Sequence, residues 1–273
     1  MRISESFEFE EVIGLRFGRR PFGRPKMLVY LYYIDGLLID TGQSKLQSEI
    51  LKSTQDLNIE QIFLTHHHED HSGNIEALKA YHNCKVYAPT ECCSLMTNPP
   101  KLSLAQKLIW GDREGSNSLI AKDDFIETNK YRFELIPIPG HAPDMVALFE
   151  PNKKWLFSSD LYINSFIGYM LDTESIATQI NSLKKVLALD FEVMFCSHNP
   201  KLRHGKHQLE KKLLFLEDFY DQVSSLHIQG YSESQIFKEL QLKENWLIKM
   251  LSSGKLSKLN MVKSVIRDEE TKN

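Results

Sequence analysis

The segment Thr-His-His-His-Glu-Asp-His, residues 65–71, directly follows a short apolar run that is typical of a strand. It contains the spacing His-x-His-x-Asp-His. Residues i and i+2 of an extended segment point to the same side, so His66 and His68 can share one metal ion. Asp70 and His71 lie past a bend and can face a second ion. Neutral imidazole and carboxylate are ligands that borderline divalent ions prefer, so the segment predicts a metal site.

Three further residues of these types follow predicted strands. His141 comes after an apolar strand and the pair Pro-Gly, Asp160 follows the run Leu-Phe-Ser-Ser, and His198 closes the run Phe-Cys-Ser. Open α/β sheets assemble their sites at the carboxyl ends of strands. Each residue alone is more often a turn residue. Together with the first motif they give enough ligands for two ions if one carboxylate bridges them.

These motifs, with Asp40 in Leu-Leu-Ile-Asp-Thr-Gly, resemble those of the metallo-β-lactamase superfamily, over about residues 25–200. The resemblance implies a four-layer αβ/βα sandwich. It also implies one role for each candidate residue: a first metal held by His66, His68 and His141, a second held by Asp70, His71 and His198, Asp160 as the bridge, and Asp40 orienting ligands without binding metal.

Strands and helices alternate up to about residue 200, which indicates an α/β architecture. A helix is expected to begin near Ser72, just past the histidine segment. After Gly205 strand signals disappear and three helices are expected, the second with a capping box at Ser232 and the third ended by Gly254. We therefore predict a catalytic domain over 1–204 and an α-helical extension over 205–273.

Composition excludes several classes of protein. The chain has 273 residues, of which 42% are hydrophobic and 25% charged, so intrinsic disorder is excluded. Its net charge of −3 gives no global attraction to nucleic acid or to an anionic membrane. The longest apolar stretch, Met27–Ile34, is too short to span a bilayer. The polar amino terminus does not match a secretory signal. A cytoplasmic protein without a membrane partner is expected.

A local exception to this neutrality is the run Arg16–Lys26, which has five basic residues and no acidic one. It could grip a phosphate or a nucleic acid beside the metals. The interpretation that we favour is a flexible, solvated loop before the first core strand. The helical extension could bind substrate, cover the site or form a homodimer, and the sequence does not choose among these.

Two divalent ions would share a water and lower its pKa toward about 7. We expect zinc, with manganese and iron as alternatives. The resulting hydroxide would attack a carbonyl or phosphoryl centre, and Asp70 would accept or relay the proton. Tyr162 is a candidate donor to the oxyanion, as is Tyr169, and the alternative for each is a buried core tyrosine. His67 points away from its neighbours and is expected to pack.

The sequence thus predicts a metal-dependent hydrolase that cleaves a small-molecule ester, thioester or lactone. Phosphodiester or RNA cleavage at the same site is an alternative, with nucleic acid not favoured as a partner. A persulfide dioxygenase-like oxidoreductase with one iron is a second alternative, against which the complete second ligand set argues. Three departures from superfamily patterns stand out. The run after His141 is Ala-Pro-Asp-Met where the family usually has Thr-Pro-Gly, and with the helical extension it resembles the lactamase-beta-like hydrolases and, more distantly, glyoxalase II. His71 is usually absent from class B β-lactamases, and Ile163 occupies the tyrosine position of the lactonases, with Tyr162 nearest.

Overall fold

The computed structural model describes residues 2–19, 26–252 and 254–271. Two main sheets form its centre. The first has seven strands in sequence order: β1 (Arg2–Phe9), β2 (Val12–Arg19), β3 (Lys26–Ile34), β4 (Leu37–Ile39), β5 (Gln61–Phe63), β6 (Lys85–Ala88) and β7 (Ile120–Ala121). Strands β1 to β4 pair antiparallel, and β4 to β7 pair parallel.

The second sheet has five strands: β8 (Phe125–Glu127), β9 (Arg132–Pro137), β10 (Val146–Glu150), β11 (Trp155–Ser159) and β13 (Val193–Cys196). Their order across the sheet is β13-β11-β10-β9-β8, with β11 and β13 parallel. A short strand β12 (Met170–Leu171) pairs with β14 (Leu256–Ser257) as a separate antiparallel pair.

Helices cover the outer face of each sheet. A 3₁₀ turn (Ser44–Leu46) and five helices lie between the strands of the first sheet along the chain. The helices are α1 (Gln47–Thr54), α2 (Glu69–Ser72), α3 (Ile75–His82), α4 (Thr90–Thr97) and α5 (Leu104–Ile109). The later helices are α6 (Ile176–Leu187), α7 (Gly205–Ile228), α8 (Glu233–Glu239), α9 (Trp246–Leu251) and α10 (Leu259–Glu270). None of the helices in the described part of the chain has the length and apolar character that crossing a bilayer requires.

Three apolar clusters separate the layers. The central one joins the facing sides of both sheets, for example Tyr32 and Phe63 with Phe157. Aromatic rings dominate it, and the rings of Phe157 and Phe195 stack with centroids 4.6 Å apart. A second cluster lies between the first sheet and helices α1, α3 and α4, and a third between the second sheet and helices α6, α7 and α10. The helix–sheet–sheet–helix arrangement confirms the predicted α/β sandwich.

Three local predictions were wrong. Helix α2 begins at Glu69 rather than near Ser72, because the amides of His71 and Ser72 both donate to the carbonyl of His68 and close a turn there. Asp70 and His71 therefore lie on the helix itself.

The run Arg16–Lys26 is not a loop where the structure describes it. Arg16 and Phe17 belong to β2, paired with β1 along its whole length. Arg16 forms an ion pair with Glu5, with Nη1 and Oε2 2.7 Å apart. Residues 20–25 lie outside the described residues.

The segment after Gly205 is not purely helical, since β14 pairs with β12, and it contains the unpredicted helix α10. The capping box at Ser232 is confirmed. Leu209 and Leu216 of α7 pack in the same apolar cluster as Leu183 of α6. The helical segment is thus an outer layer of the sandwich, and its treatment as a separate domain over 205–273 stays a prediction.

We expect Phe157→Ala to lower the free energy of unfolding by about 3–5 kcal/mol, because it leaves a cavity at the centre of the sandwich. Urea denaturation of the metal-free protein measures this. Leu104→Ala is the control: Leu104 is 87% exposed, so its removal should change stability by less than about 0.5 kcal/mol. Equal effects of the two substitutions would contradict this account of the core.

Candidate metal centre

The site begins where the parallel strands β4 and β5 end side by side. Asp40 follows β4, and its Oδ1 accepts hydrogen bonds from the amide of Thr65 at 2.8 Å and from the Thr65 hydroxyl at 3.0 Å. Its Oδ2 lies 2.8 Å from Nδ1 of His71. The buried carboxylate thereby holds the histidine segment against the sheet edge at both of its ends.

A first group of ligand-type side chains contains His66, His68 and His141. One nitrogen of each ring lies within 4.8 Å of the others. The ring of His68 lies with its centroid 4.7 Å from both of the other rings. These imidazoles come from the end of β5 and from the loop between β9 and β10, so the group joins the two sheets.

A second group contains Asp70, His71, Asp160 and His198, again with ligand atoms within 4.8 Å of one another. Asp160 connects the two groups. Its Oδ2 lies 3.1 Å from Nε2 of His198 and 3.3 Å from Nε2 of His141, and its Oδ1 lies 3.3 Å from Nε2 of His71. One carboxylate thus faces imidazoles of both groups.

The donor set fits divalent metal ions. Within the described part of the chain, Nε2 of His66, His71 and His141 and Oδ1 of Asp160 are buried and have no hydrogen-bond partner. An unsatisfied buried polar atom costs about 1–3 kcal/mol, so four of them in one place call for a ligand. Nitrogen and carboxylate oxygen are the atoms with which zinc and similar ions are bound in proteins.

Burial and neighbouring charges shift the pKa values in this cluster. Burial lowers the pKa of His66 well below its ordinary value, and the nearby His71 lowers it further. Burial would also lower the pKa of His141, but Glu174 and Asp160 outweigh it and raise that pKa to about 10. Burial opposes ionisation of Asp160, yet His198 and His71 hold its pKa well below the ordinary value. Asp160 is therefore an anion between imidazoles.

In three of these imidazoles, the ring nitrogen Nδ1 contacts another polar group of the protein. Nδ1 of His198 lies 2.7 Å from the carbonyl oxygen of Leu28, and Nδ1 of His66 lies 3.1 Å from the hydroxyl of Thr65. Nδ1 of His141 lies 3.4 Å from Oε1 of Glu174. Such contacts fix which way a ligand imidazole faces.

The two candidate oxyanion donors differ in burial. Tyr162 is only 2% exposed and packs in the apolar cluster beneath α7, and its hydroxyl donates to Oε1 of Gln208 at 3.2 Å. None of the hydrogen bonds that the described structure gives this hydroxyl reaches a ligand-type side chain. Tyr169 is 43% exposed, so the alternative of a buried core tyrosine is wrong for Tyr169 and is confirmed for Tyr162. A role for either tyrosine at the oxyanion stays a prediction.

His67 points away from the cluster, as its alternating position predicts. Its Nδ1 and its amide each lie 2.8 Å from the carboxylate of Asp144. Its carbonyl accepts a hydrogen bond from Nη1 of Arg113 at 2.8 Å. His67 therefore ties the histidine segment to two neighbouring loops.

Sequence reasoning missed two residues beside the cluster. Glu174 faces His141 from a position far along the chain, and no motif marks it. The ring of Trp110 lies 6.5 Å from that of His198. Both contacts depend on loops whose path the sequence pattern does not give.

Comparison with known proteins agrees with this geometry. The sequence profile described as "Metallo-beta-lactamase superfamily" matches residues 29–198. The chain belongs to this superfamily. The resemblance drawn from the motifs is thereby confirmed, and so is the class of the protein, a metal-dependent hydrolase.

Two superfamily relatives share a name. A hydroxyacylglutathione hydrolase from Serratia proteamaculans is 26% identical over 232 residues, which cover 81% of this chain and 82% of that relative. One from Bdellovibrio bacteriovorus is 27% identical over 59% of this chain. The match spans only 57% of the length of the Bdellovibrio relative.

Solved superfamily structures share the fold. A metallo-beta-lactamase family protein from Thermus thermophilus superimposes with a TM-score of 0.63 at 18% identity, covering 80% of this chain and 83% of that one. A metallo-beta-lactamase from Pontibacter korlensis gives the same TM-score and identity, covering 79% of this chain and all of its own.

We expect His68→Ala to weaken metal binding by more than about 100-fold, because losing a residue that merely orients a ligand already costs 10–100-fold. Elemental analysis after dialysis against dilute zinc measures the metal per chain. His207→Ala, which removes an exposed imidazole on α7, is the matched control and should retain the wild-type metal content. Full metal content in the His68 variant would exclude the first group as a binding site.

Proposed function

We propose that the chain is a dinuclear metal hydrolase that cleaves the thioester of a hydroxyacid and glutathione. The observation that carries this proposal is the position of Asp160 between two groups of imidazoles. In the proposal His66, His68 and His141 bind one ion, and Asp70, His71 and His198 bind the other, with Asp160 shared. Paired sites with a shared carboxylate are typical of metal-assisted hydrolysis.

Zinc is the ion that we propose for both positions, since the ligands are imidazole nitrogens and carboxylate oxygens. When bound, the ions supply Lewis acidity and lower the pKa of a shared water. Asp40 keeps the ring of His71 turned toward the cluster through their 2.8 Å contact. Asp70, which is 7% exposed and has Oδ2 3.5 Å from Nε2 of His198, would take up the proton released in the hydrolysis.

The thioester is chosen over an ester or a lactone because both relatives described above are named hydroxyacylglutathione hydrolases. Tyr162 has no role in the proposed reaction, since its hydroxyl donates a hydrogen bond to Gln208. RNA cleavage gains no support from the run Arg16–Lys26, because Arg16 is paired with Glu5 and the run begins as a strand. The second group, with two carboxylates, argues against a site for a single iron.

The decisive experiment compares substrates on the zinc-loaded protein. We expect hydrolysis of S-lactoylglutathione to exceed that of a p-nitrophenyl ester, a lactone and single-stranded RNA, and to disappear on chelation and return with zinc. Release of free thiol, followed with a thiol-reactive dye, measures the rate. Fully metallated protein that cleaves no thioester would overturn the proposal, and RNA cleavage by it would favour the nuclease.

A second experiment tests the proton-accepting role of Asp70. We expect Asp70→Asn to lower kcat by about 10²–10⁴-fold, because the amide cannot accept the proton. Metal content is measured on the same samples, so that loss of metal and loss of the base are separated. Asp112→Asn, at a largely exposed carboxylate, is the control and should leave kcat unchanged. A kcat that falls only in proportion to lost metal would contradict the role.

A further inference from the structure

Residues 172–175, here called the strap, connect β12 to α6 and pass beside His141. Glu174 in the strap is 8% exposed, and its Oε1 lies 3.4 Å from Nδ1 of His141. Its Oε2 accepts a hydrogen bond from Nε2 of Gln179 at 2.7 Å, and its Oε1 accepts one from the amide of Leu171 at 3.2 Å. The carboxylate is therefore fixed on both sides while it faces the imidazole.

The loop that carries His141 is held by the same region. The amide of Ser175 donates to the carbonyl of Gly140 at 3.1 Å, and the hydroxyl of Ser182 donates to the carbonyl of Pro139 at 2.7 Å. Gly140 has a φ of +128°, and a Cβ there would lie 2.7 Å from the amide nitrogen of Gln179. Because the backbones of the loop and of the first turn of α6 approach this closely, the loop packs directly against the strap and that turn.

Helix α10 in turn fixes the strap. Arg267 donates from Nη2 to the carbonyl of Glu174 at 2.6 Å and from Nη1 to the carbonyl of Asp172 at 3.1 Å. Ser264 accepts a hydrogen bond from the amide of Ile176 at 2.9 Å, and Asp268 accepts one from the amide of Ala177 at 3.1 Å. Side chains of the C-terminal helix thus satisfy the main chain on either side of Glu174.

We propose that Glu174 is the positioning residue of His141 and that α10 determines where Glu174 stands. The inference rests on the metal assignment of the proposed function. The carboxylate accepts a hydrogen bond from Nδ1–H of His141, which turns Nε2 toward His66 and His68. A carboxylate behind a ligand histidine fixes its tautomer and its orientation. The affinity of the first group for a metal therefore depends on the contacts of the C-terminal helix.

The test measures metal affinity and does not use activity. In a His198→Ala background, which weakens the second group, Co²⁺ titration followed by visible absorbance reports the first group. We expect Glu174→Gln to weaken this binding by about 10–100-fold. In a His68→Ala background, which reports the second group, the same substitution should change affinity less than about twofold.

Glu150→Gln is the matched control. Glu150 is equally buried and accepts a hydrogen bond from the amide of Lys153 at 2.6 Å, at the far end of the β10–β11 hairpin. It should leave both affinities unchanged. Unchanged Co²⁺ affinity in a folded Glu174→Gln protein would overturn the proposal. An equal loss of Co²⁺ affinity in both groups would also overturn it, because it would indicate a general loss of structure around the site. If that variant does not fold, Glu174→Asp carries the same test, because it shortens the reach and keeps the charge.

Arg267→Ala tests the part played by α10. We expect it to lower the Co²⁺ affinity of the first group. Combined with Glu174→Gln it should lower that affinity little further, since both substitutions act through one carboxylate. Arg132→Ala, at an exposed arginine paired with Glu127, is the control. Additive effects would overturn the link to α10. Because the readout is Co²⁺ binding, a protein that cleaves no thioester would refute the proposed substrate without affecting this result.

Discussion

The carboxylate of Asp40 is the contact on which the rest of the site depends. It is almost fully buried, and it is stabilised by the amide and hydroxyl of Thr65 and by Nδ1 of His71. Removing one partner from such a buried charged network is strongly destabilising. The backbone of Asp40 adopts a φ of +65°, so the chain leaves β4 sharply and the amide of Thr41 can donate to the carbonyl of His71. Strand β4 thereby sets the start and the end of the histidine segment.

Thr65 links the end of the first sheet to the second sheet by hydrogen bonds. Its hydroxyl accepts a hydrogen bond from Ser159 at 2.8 Å, and its carbonyl accepts one from the amide of Val146. Ser159 lies where the pairing of β11 with β13 shifts register, and it has a φ of +47°. This irregularity directs the next residue, Asp160, toward the imidazoles of both groups. The shared carboxylate is thus positioned by a local departure from regular strand geometry.

The parts of the fold that sequence reasoning predicted are those with strong local signals. Buried strands such as β5 and β13 are mainly apolar, and ligand-type residues are expected where such strands end. Strand β1 was missed because its side chains are largely polar and exposed, as an edge strand allows. The start of α2 was misplaced because the turn at His68 is closed by hydrogen bonds to its main-chain carbonyl. No capping side chain marks this position in the sequence.

The unpredicted features of the site all come from contacts between distant parts of the chain. Glu174 faces His141 from a strap whose main chain α10 contacts, and the periodicity of α10 does not show where its polar side chains donate. Lys212 of α7 shows the same pattern: its buried ammonium donates to the carbonyl of Leu161 at 2.7 Å, directly after Asp160. Burial lowers the pKa of Lys212 to about 8. A buried ammonium is costly unless it is bonded, so this lysine constrains the path of the chain after Asp160.

The helices that were expected to form an appendage therefore contact two segments that lie beside ligand-type residues of the second sheet. Helix α7 holds the chain after Asp160, and α10 holds the strap behind His141. Short metal-ligand distances require that loops be fixed to within fractions of an ångström, which the strand ends alone do not provide. The outer helical layer supplies the missing constraints through side-chain bonds to main-chain atoms. On this view the C-terminal segment is part of the metal centre's scaffold, and the four layers of the sandwich act on the site as one unit.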